Sequence, residues 1–319
     1  MSTDDYPLST NGIVKNYGPK TTIGPISMNI GKKWIFGFLG PNGAGKTTTI
    51  RMILGLAKPN NGSVTVFGRD PSKDPERALK NIGYAPELPN FQTFFSGEDL
   101  LNFVAKLYRL STSERRTRVR ELLEMVGLRD HAEKKIGKYS KGMVQRLSVA
   151  QALINDPDLV IMDEPTLGMD PAATIYFRDL FKTLVSDGRT IFISSHQLDE
   201  VQKIATHVGM INKGKMVFQG TTPSILDAFA KDYSIEVELE TINQKILEKI
   251  GQLDYIDQVK VINGKIQIKL KEKRDLRATL AEDIIKNGGR LVGMALNKAT
   301  LEDAFVETLR GEIPILEKN

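Results

Sequence analysis

The stretch Gly40 to Thr48, GPNGAGKTT, decides the fold. It fits the pattern G-x-x-x-x-G-K-[ST], with Gly40, Gly45, Lys46 and Thr47 in the required places. The apolar run Trp34 to Leu39 precedes it and the helix-like Thr49 to Leu56 follows. Strand, glycine-rich loop and helix in that order make a phosphate cradle. Glycines let backbone N–H groups converge on phosphate oxygens, and the helix start turns its positive end toward them. Lys46 is placed to reach the β- and γ-phosphates, and the Thr47 hydroxyl to hold Mg²⁺. The competing reading is a glycine-rich turn that binds nothing, and the agreement of strand, loop, Lys-Thr and helix speaks against it. The chain is expected to bind a nucleoside triphosphate.

A pair of acidic groups lies downstream. Leu159 to Met162 reads as a buried strand ending in Asp163-Glu164, followed by Pro165. Neighbouring side chains on a strand point opposite ways, so both carboxylates reach one site only if the strand ends there, and Pro165 is expected to end it. Asp163 then serves the metal, while Glu164 is placed to take a proton from water. A further strand, Thr190 to Ile193, runs into Ser194-Ser195-His196, where His196 either meets the γ-phosphate or caps and packs.

Between and before these lie other elements. Short β-like pieces are expected at Gly12 to Lys15, Ile26 to Ile30, Lys33 to Leu39 and Ser63 to Phe67, the last after the turn Asn60-Asn61-Gly62. Tyr17, between the first two, is either a ring for stacking on adenine or a packing residue. From Phe91 to about Leu128 the period becomes helical. Leu100, Leu101, Val104 and Leu107 mark one apolar face, with Ser96 as N-cap and Asp99 in the first turn. A second helix is expected from Glu114 to Met125, ending near Gly127.

The 319 residues suit two domains. No stretch approaches the roughly 18 apolar residues of a membrane span, and MSTDDYPLST lacks a signal pattern, so the chain is expected to stay where it is made. The absence of cysteine excludes disulfides and fits a reducing compartment. Of the net charge of +5, residues 1 to 231 carry +7, which suits a polyanionic nucleotide, an acidic membrane surface or simply a solvated exterior.

Taken in order, these motifs resemble the ATP-binding cassette of an ABC transporter over about residues 10 to 228. Tyr17 matches the aromatic A-loop, GPNGAGKTT the Walker A loop, and YSKGMVQRL from Tyr139 the signature. DLVIMDEP from Asp158 matches Walker B, Leu167-Gly168-Met169-Asp170 the D-loop, and His196 the switch histidine. The resemblance implies nucleotide contacts at Tyr17, Asn42, Gly43, Gly45, Lys46, Thr47 and Thr48, Mg²⁺ at Thr47 and Asp163, and catalysis by Glu164 with His196. Ser140 and Gly142 would contact ATP bound to an opposite subunit, with Asp170 in the D-loop. Two motifs depart from the pattern. Tyr139, Lys141 and Met143 replace Leu, Gly and Gln of LSGGQ, which leaves the effect of the Lys141 cation open. Glu87 stands at the Q-loop glutamine, adding negative charge near a triphosphate.

The implied fold is α/β: a P-loop ABC cassette with a RecA-like core, an antiparallel β subdomain and a helical insert (about 88–150), spanning 1–231. Residues 232–319 form an α+β accessory domain. There Ser234 to Glu240 alternates as a strand, Asn243 to Leu253 is helical, and Val259 to Ile262 and Lys265 to Leu270 flank the hairpin turn Asn263-Gly264. With Ile262 opposite Lys265, Val261 opposes Ile266 and Val259 opposes Ile268, giving one apolar face. A helix Leu276 to Lys286, a strand Arg290 to Leu296 and a helix from Leu301 complete a ferredoxin-like βαββαβ order, in which no metal or catalytic cluster appears. Its end, TLEDAFVETL, is similar to the C-terminal extension of exporter-type subunits.

Function follows as expectation. The chain is read as the ATPase subunit of an exporter on the inner face of a membrane, with ATP and Mg²⁺. Its partners are a second cassette and a separate multi-span permease, and no nucleic acid is expected. Phe91, Phe94 and Phe95 beside Glu87 are either the permease docking surface or ordinary core. A soluble ABC ATPase acting on ribosomes or nucleic acid is the alternative; such proteins carry two cassettes or coiled-coil insertions, which are not visible here. A GTPase needs Asn-Lys-x-Asp, and both Asn212-Lys213 and Asn297-Lys298 lack the Asp.

Overall fold

The computed structural model describes residues 6–18, 21–229, 234–262, 264–272, 274–297 and 300–310. It divides into two compact units, Met1–Thr222 and Pro223–Arg310. The first contains two sheets. β1 (Leu8–Tyr17), β2 (Thr21–Ile30) and, later in the chain, Asn61–Val66 pair antiparallel in the order β2, β1 and that third strand. β1 is longer than the sequence pattern implies, and register shifts near Gly12 let it continue, so Tyr17 ends a strand instead of lying in a loop.

β3 (Ile35–Leu39) leads through Gly40–Gly45 into α1 (Lys46–Ile53), then β4 (Asn61–Val66), α2 (Pro75–Ala78) and β5 (Ile82–Ala85). α1 starts at Lys46, three residues before the helix-like pattern, because the loop glycines take up the turn. The insert holds α3 (Gly97–Leu107) and α4 (Thr112–Met125), followed by α5 (Lys141–Ala152). Ser96 and Asp99 form a reciprocal capping box on α3, as expected. α4 begins earlier than expected, since Ser111 and Glu114 make a second box. Leu100 and Leu101 are buried, but Leu107 is 66% exposed and Ala105 takes its inward place.

β6 (Leu159–Asp163), α6 (Pro171–Ser186), β7 (Thr190–Ser195), α7 (Leu198–Gln202), β8 (His207–Asn212) and β9 (Lys215–Thr221) complete this unit. The second sheet has the order β5-β6-β7-β3-β8-β9, parallel except for β9. Every residue of β3, β6 and β7 is buried, and the strands are near-continuous apolar runs except for the polar residues Asp163, Thr190, Ser194 and Ser195 at their ends. Phe36 and Phe38 each lie 5.6 Å from Phe192 in ring centroids, at the centre of the core. The register aligns the carboxyl ends of the strands: Asp163 pairs with Ser194, and Leu39 with Ser195.

The second unit contains α8 (Thr222–Phe229), β10 (Ser234–Leu239), α9 (Gln244–Gly251), β11 (Ile256–Ile262), β12 (Lys265–Leu270), α10 (Arg277–Lys286), β13 (Leu291–Asn297) and α11 (Leu301–Arg310). Its antiparallel sheet runs β11-β12-β10-β13, with Ile246 and Ile250 of α9 and Leu280 and Ile284 of α10 in the same core. The hairpin register is the expected one, although Asn263 lies outside the described residues. An irregularity at Asp257 keeps Ile256 and Val259, three apart, facing the core together. Val261 is half-exposed at the hairpin tip.

Tyr255 donates its hydroxyl to Asp283 Oδ2 at 2.6 Å. Burial first, then the Asp283 hydrogen bond and charge, hold this phenol protonated well above the ordinary range. A proton retained in the folded state but lost in the unfolded chain above about pH 10 makes stability fall as pH rises beyond that value. Tyr255→Phe is expected to flatten that alkaline slope in urea titrations of the unit's unfolding, and an unchanged slope would count against the assignment.

Candidate nucleotide site

Three strand ends form the site. After β3 the chain crosses Gly40, whose position leaves no room for a side chain: a Cβ there would meet Ile211 O at 2.3 Å. Gly43 and Gly45 have φ of 77° and 110°, a region that L side chains rarely enter. No side chain caps α1, so its first-turn N–H groups face outward beside exposed Asn42 and Gly43 and half-exposed Thr47 and Thr48. An uncapped helix start at a glycine loop is an anion cradle.

Lys46 curls over the loop. Its Nζ donates to Gly40 O at 2.8 Å and Pro41 O at 3.3 Å, and lies 3.2 Å from Glu164 Oε1. Both members of this ion pair are buried. Glu164 Oε2 is 2.9 Å from His196 Nδ1 and 3.4 Å from both the His196 N–H and the Ser195 hydroxyl. Lys46, Glu164 and His196 thus lie in one chain of contacts. Glu164 itself has φ of 50°, so the backbone turns at this residue, one before Pro165, and its N–H donates to Ser194 O at 3.1 Å. This turn, more than the proline, lets adjacent carboxylates serve one place.

Asp163 is fully buried. Ser194 donates its hydroxyl to Oδ1, while Oδ2 has no hydrogen-bond partner. A buried carboxylate oxygen left without a partner is costly, and a cation at that position would satisfy it. Among the described residues no cluster of three or more His, Cys, Asp or Glu suits a metal. Asp163 Oδ2 and the half-exposed Thr47 hydroxyl are instead a sparse oxygen set, which fits Mg²⁺, an ion that takes one or two protein groups plus phosphate and water. Burial, then the Asp163 charge, push the Tyr84 phenol up to about 12, with Glu87 adding to the same field and Arg51 opposing it. Glu87 is half-buried in the loop after β5 and therefore lies within electrostatic reach of this end of the sheet.

The remaining expected residues are placed elsewhere. Ser140 caps α5, accepting from Met143 N at 3.3 Å, and a Cβ on Gly142 would meet open space. Asp170 caps α6, accepting from Ala173 N at 2.8 Å. The Lys141 side chain lies against Gly168. None of Ser140, Gly142 or Asp170 has a hydrogen bond or ion pair to Lys46, Asp163 or Glu164 among the described residues. Tyr17 is half-exposed with the Lys15 ammonium 5.9 Å from its ring centre. Sequence reasoning gave no role to Ser194, Ser195 or Tyr84; the polar pair ending an apolar strand is the signal that marks the two serines.

Known proteins resemble this chain over most of its length. The ABC transporter family model matches residues 23–167. Over 302 residues the chain is 34% identical to the linearmycin resistance ATP-binding protein LnrL of Bacillus subtilis (strain 168), covering 94% of this chain and 97% of that one. It is 33% identical over 305 residues to the bacitracin transport ATP-binding protein BcrA of Bacillus licheniformis, covering 95% and 97%. The chain belongs to the ABC transporter ATP-binding proteins. A solved ATP-binding subunit of an ABC transporter superposes with a TM-score of 0.65 at 27% identity, over 70% of this chain and 93% of that one. The protein is accordingly an ATP-binding, ATP-hydrolysing transporter component. Among its described residues no helix is long and apolar enough to cross a membrane.

Ser194→Ala removes the one side-chain donor that the buried Asp163 has among the described residues. Without nucleotide, the variant is expected to lose about 1–3 kcal/mol of stability in urea unfolding; wild-type stability would show that water or rearrangement satisfies Asp163 instead.

Proposed function

We propose that this chain is the ATPase subunit of an exporter, working at the cytoplasmic face of a membrane with a second cassette and a separate multi-span permease. Support for export comes from the names of its relatives, among them a Nod factor export ATP-binding protein of Cupriavidus metallidurans, 36% identical over 221 residues. The observation that carries the catalytic reading is Glu164, held between Lys46 and His196 beside the half-satisfied Asp163.

In this reading the triphosphate lies on the outward N–H groups of Gly43, Gly45, Lys46, Thr47 and Thr48, with Asn42 at the rim and Tyr17 under the base. Lys46 leaves Glu164 for the β- and γ-phosphate oxygens. Thr47 and Asp163 Oδ2 would hold Mg²⁺, which when bound neutralises charge on the phosphates. Freed from its ion pair, the Glu164 carboxylate orients water and accepts its proton. His196 fixes the carboxylate through the Nδ1 contact and presents the rest of its ring to the γ-phosphate. Glu87 belongs to the same neighbourhood from the Q-loop position.

One Walker loop and one signature in the chain favour a dimer in which Ser140 and Gly142 of each subunit complete the partner's ATP site, with Asp170 fixing the D-loop alongside. Both Gly142 and the α5 start are open enough for that contact. ATP then acts as glue and hydrolysis as release. The half-exposed Phe95 and exposed Phe94 beside the Glu87 loop offer the permease a docking place.

Glu164→Gln is expected to keep ATP binding while turnover falls by about a hundredfold or more, measured as phosphate release. Full activity would remove Glu164 as the base. Trapped with MgATP in native membranes and purified, the same variant is expected to bring a multi-span membrane protein, identified by mass spectrometry; ribosomal proteins instead would overturn the transporter assignment of the partner.

A further inference from the structure

The sheet of the second unit ends in two edge strands, and they are built differently. At one edge β11 carries exposed Asp257 and Lys260 and an irregularity between Ile256 and Gln258. Charges and irregularities of this kind keep an edge from adding another strand. At the other edge β13, LVGMALN, has no charged residue and no proline in its seven positions. Its own irregularity, at Val292, lies near the start and leaves residues 293–297 in regular register with β10. β13 pairs with β10 alone, so the N–H and C=O groups of residues 291–296 that point away from β10 have no partner among the described residues.

The core is also thin on that side. Ile235 and Val237 of β10 and Ile266 and Ile268 of β12 are fully buried, whereas Leu291, Met294 and Leu296 of β13, packed against the same core, are only half-buried. Val292 is 64% exposed, and Ala295 is exposed as well. α9 packs beside β11 and α10 beside β13, and on α10 Ile285 is 61% exposed. The open edge, its side chains and the helix next to it therefore leave apolar surface uncovered together. β11 also shows half-exposed Val261 and Ile262, but with the exposed Lys260 next to them in the strand.

We infer that β13 pairs antiparallel with β13 of a second copy of this chain, about a two-fold axis near Met294, so that the two sheets become one. Met294 is the middle residue of the strand. Centred there, the small residues Gly293 and Ala295 oppose each other and let the two backbones approach. A strand that meets its own copy places like side chains near one another, and an uncharged strand meets no repulsion in doing so. Because β11 is protected, this sheet has one open edge per copy, so pairing stops at two and gives a closed dimer instead of a fibre. A strand edge alone is thin for a stable dimer, and α10 of each copy on the same flank widens the contact around Ile285. The contact needs no nucleotide and is separate from the cassette dimer proposed above.

The test uses the purified full chain without nucleotide or Mg²⁺, so that ATP-driven closure of the cassettes does not contribute. Sedimentation at micromolar concentration is expected to give twice the mass of the chain. Val292→Lys and Ala295→Lys, both at exposed positions, should each weaken the dimer by about tenfold or more while leaving the circular dichroism spectrum unchanged. The chain has no cysteine, so Met294→Cys introduces a single thiol. Copper-catalysed air oxidation should link two copies of that variant, because opposed residues of paired strands have Cα atoms about 4.5–5.5 Å apart, within disulfide reach. Val261→Cys, at the hairpin tip of β11, serves as the control and should stay unlinked. The ATP-dependent dimer is read separately, in Glu164→Gln with MgATP, and should survive Ala295→Lys. A monomer in the absence of nucleotide, a dimer indifferent to both lysine substitutions, equal linking in the Val261 variant, or assemblies that grow beyond two copies would each overturn the inference.

Discussion

Parallel pairing of β3, β6 and β7 with their ends level is the constraint on which the rest depends. Leu39, Asp163 and the Ser194-Ser195 pair occupy adjacent positions in the sheet. A slip of one residue in any strand would turn its polar end group to the opposite face. The buried, β-branched and aromatic residues behind those ends are what fix the register. The core does not merely support the site; it sets which oxygen atoms face which nitrogen.

The electrostatics follow from that placement. Two carboxylates and one ammonium lie close together out of water, where an unpaired charge is expensive. Lys46 offsets Glu164, and Ser194 partly serves Asp163, leaving one oxygen of Asp163 without a partner. The Lys46–Glu164 pair would have to be redistributed for phosphates to take the ammonium. In the proposed reading a polyanion would draw Lys46 away and leave the Asp163 carboxylate in need of a cation. In this account loading and activation are one electrostatic exchange, because the same ammonium cannot neutralise Glu164 and the phosphates at full strength.

Much of this was legible in the chain. The phosphate loop, both carboxylates, His196 and the hairpin register at Ile262 and Lys265 are written in local patterns with fixed spacing, and local geometry largely determines them. What stayed hidden depends on tertiary context. Leu107 carries the period of an inward face, yet α3 ends where nothing covers it. Tyr17 looks like a loop residue because the irregularities that extend β1 depend on its neighbours on both sides. Ser194 reads as the polar end of a strand until Asp163 is seen beside it. β8 and β9 escaped because their sequences mix small, polar and apolar residues and gain strand character from their pairing, β8 between β3 and β9 and β9 at the sheet edge.

The turn at Glu164 has a consequence for how this chain can change. A φ of 50° suits glycine, asparagine or aspartate better than glutamate, so the backbone here is held at a cost of about 1–3 kcal/mol by the strands on either side. Selection for stability alone would favour replacing the residue on which the proposed chemistry turns. Consensus or computational stabilisation that treats every strained position as a defect would therefore yield a sturdier cassette that grips nucleotide and has lost its engine. Cassettes that serve only as regulators could arise by the same route, as a relaxation downhill from an active ancestor.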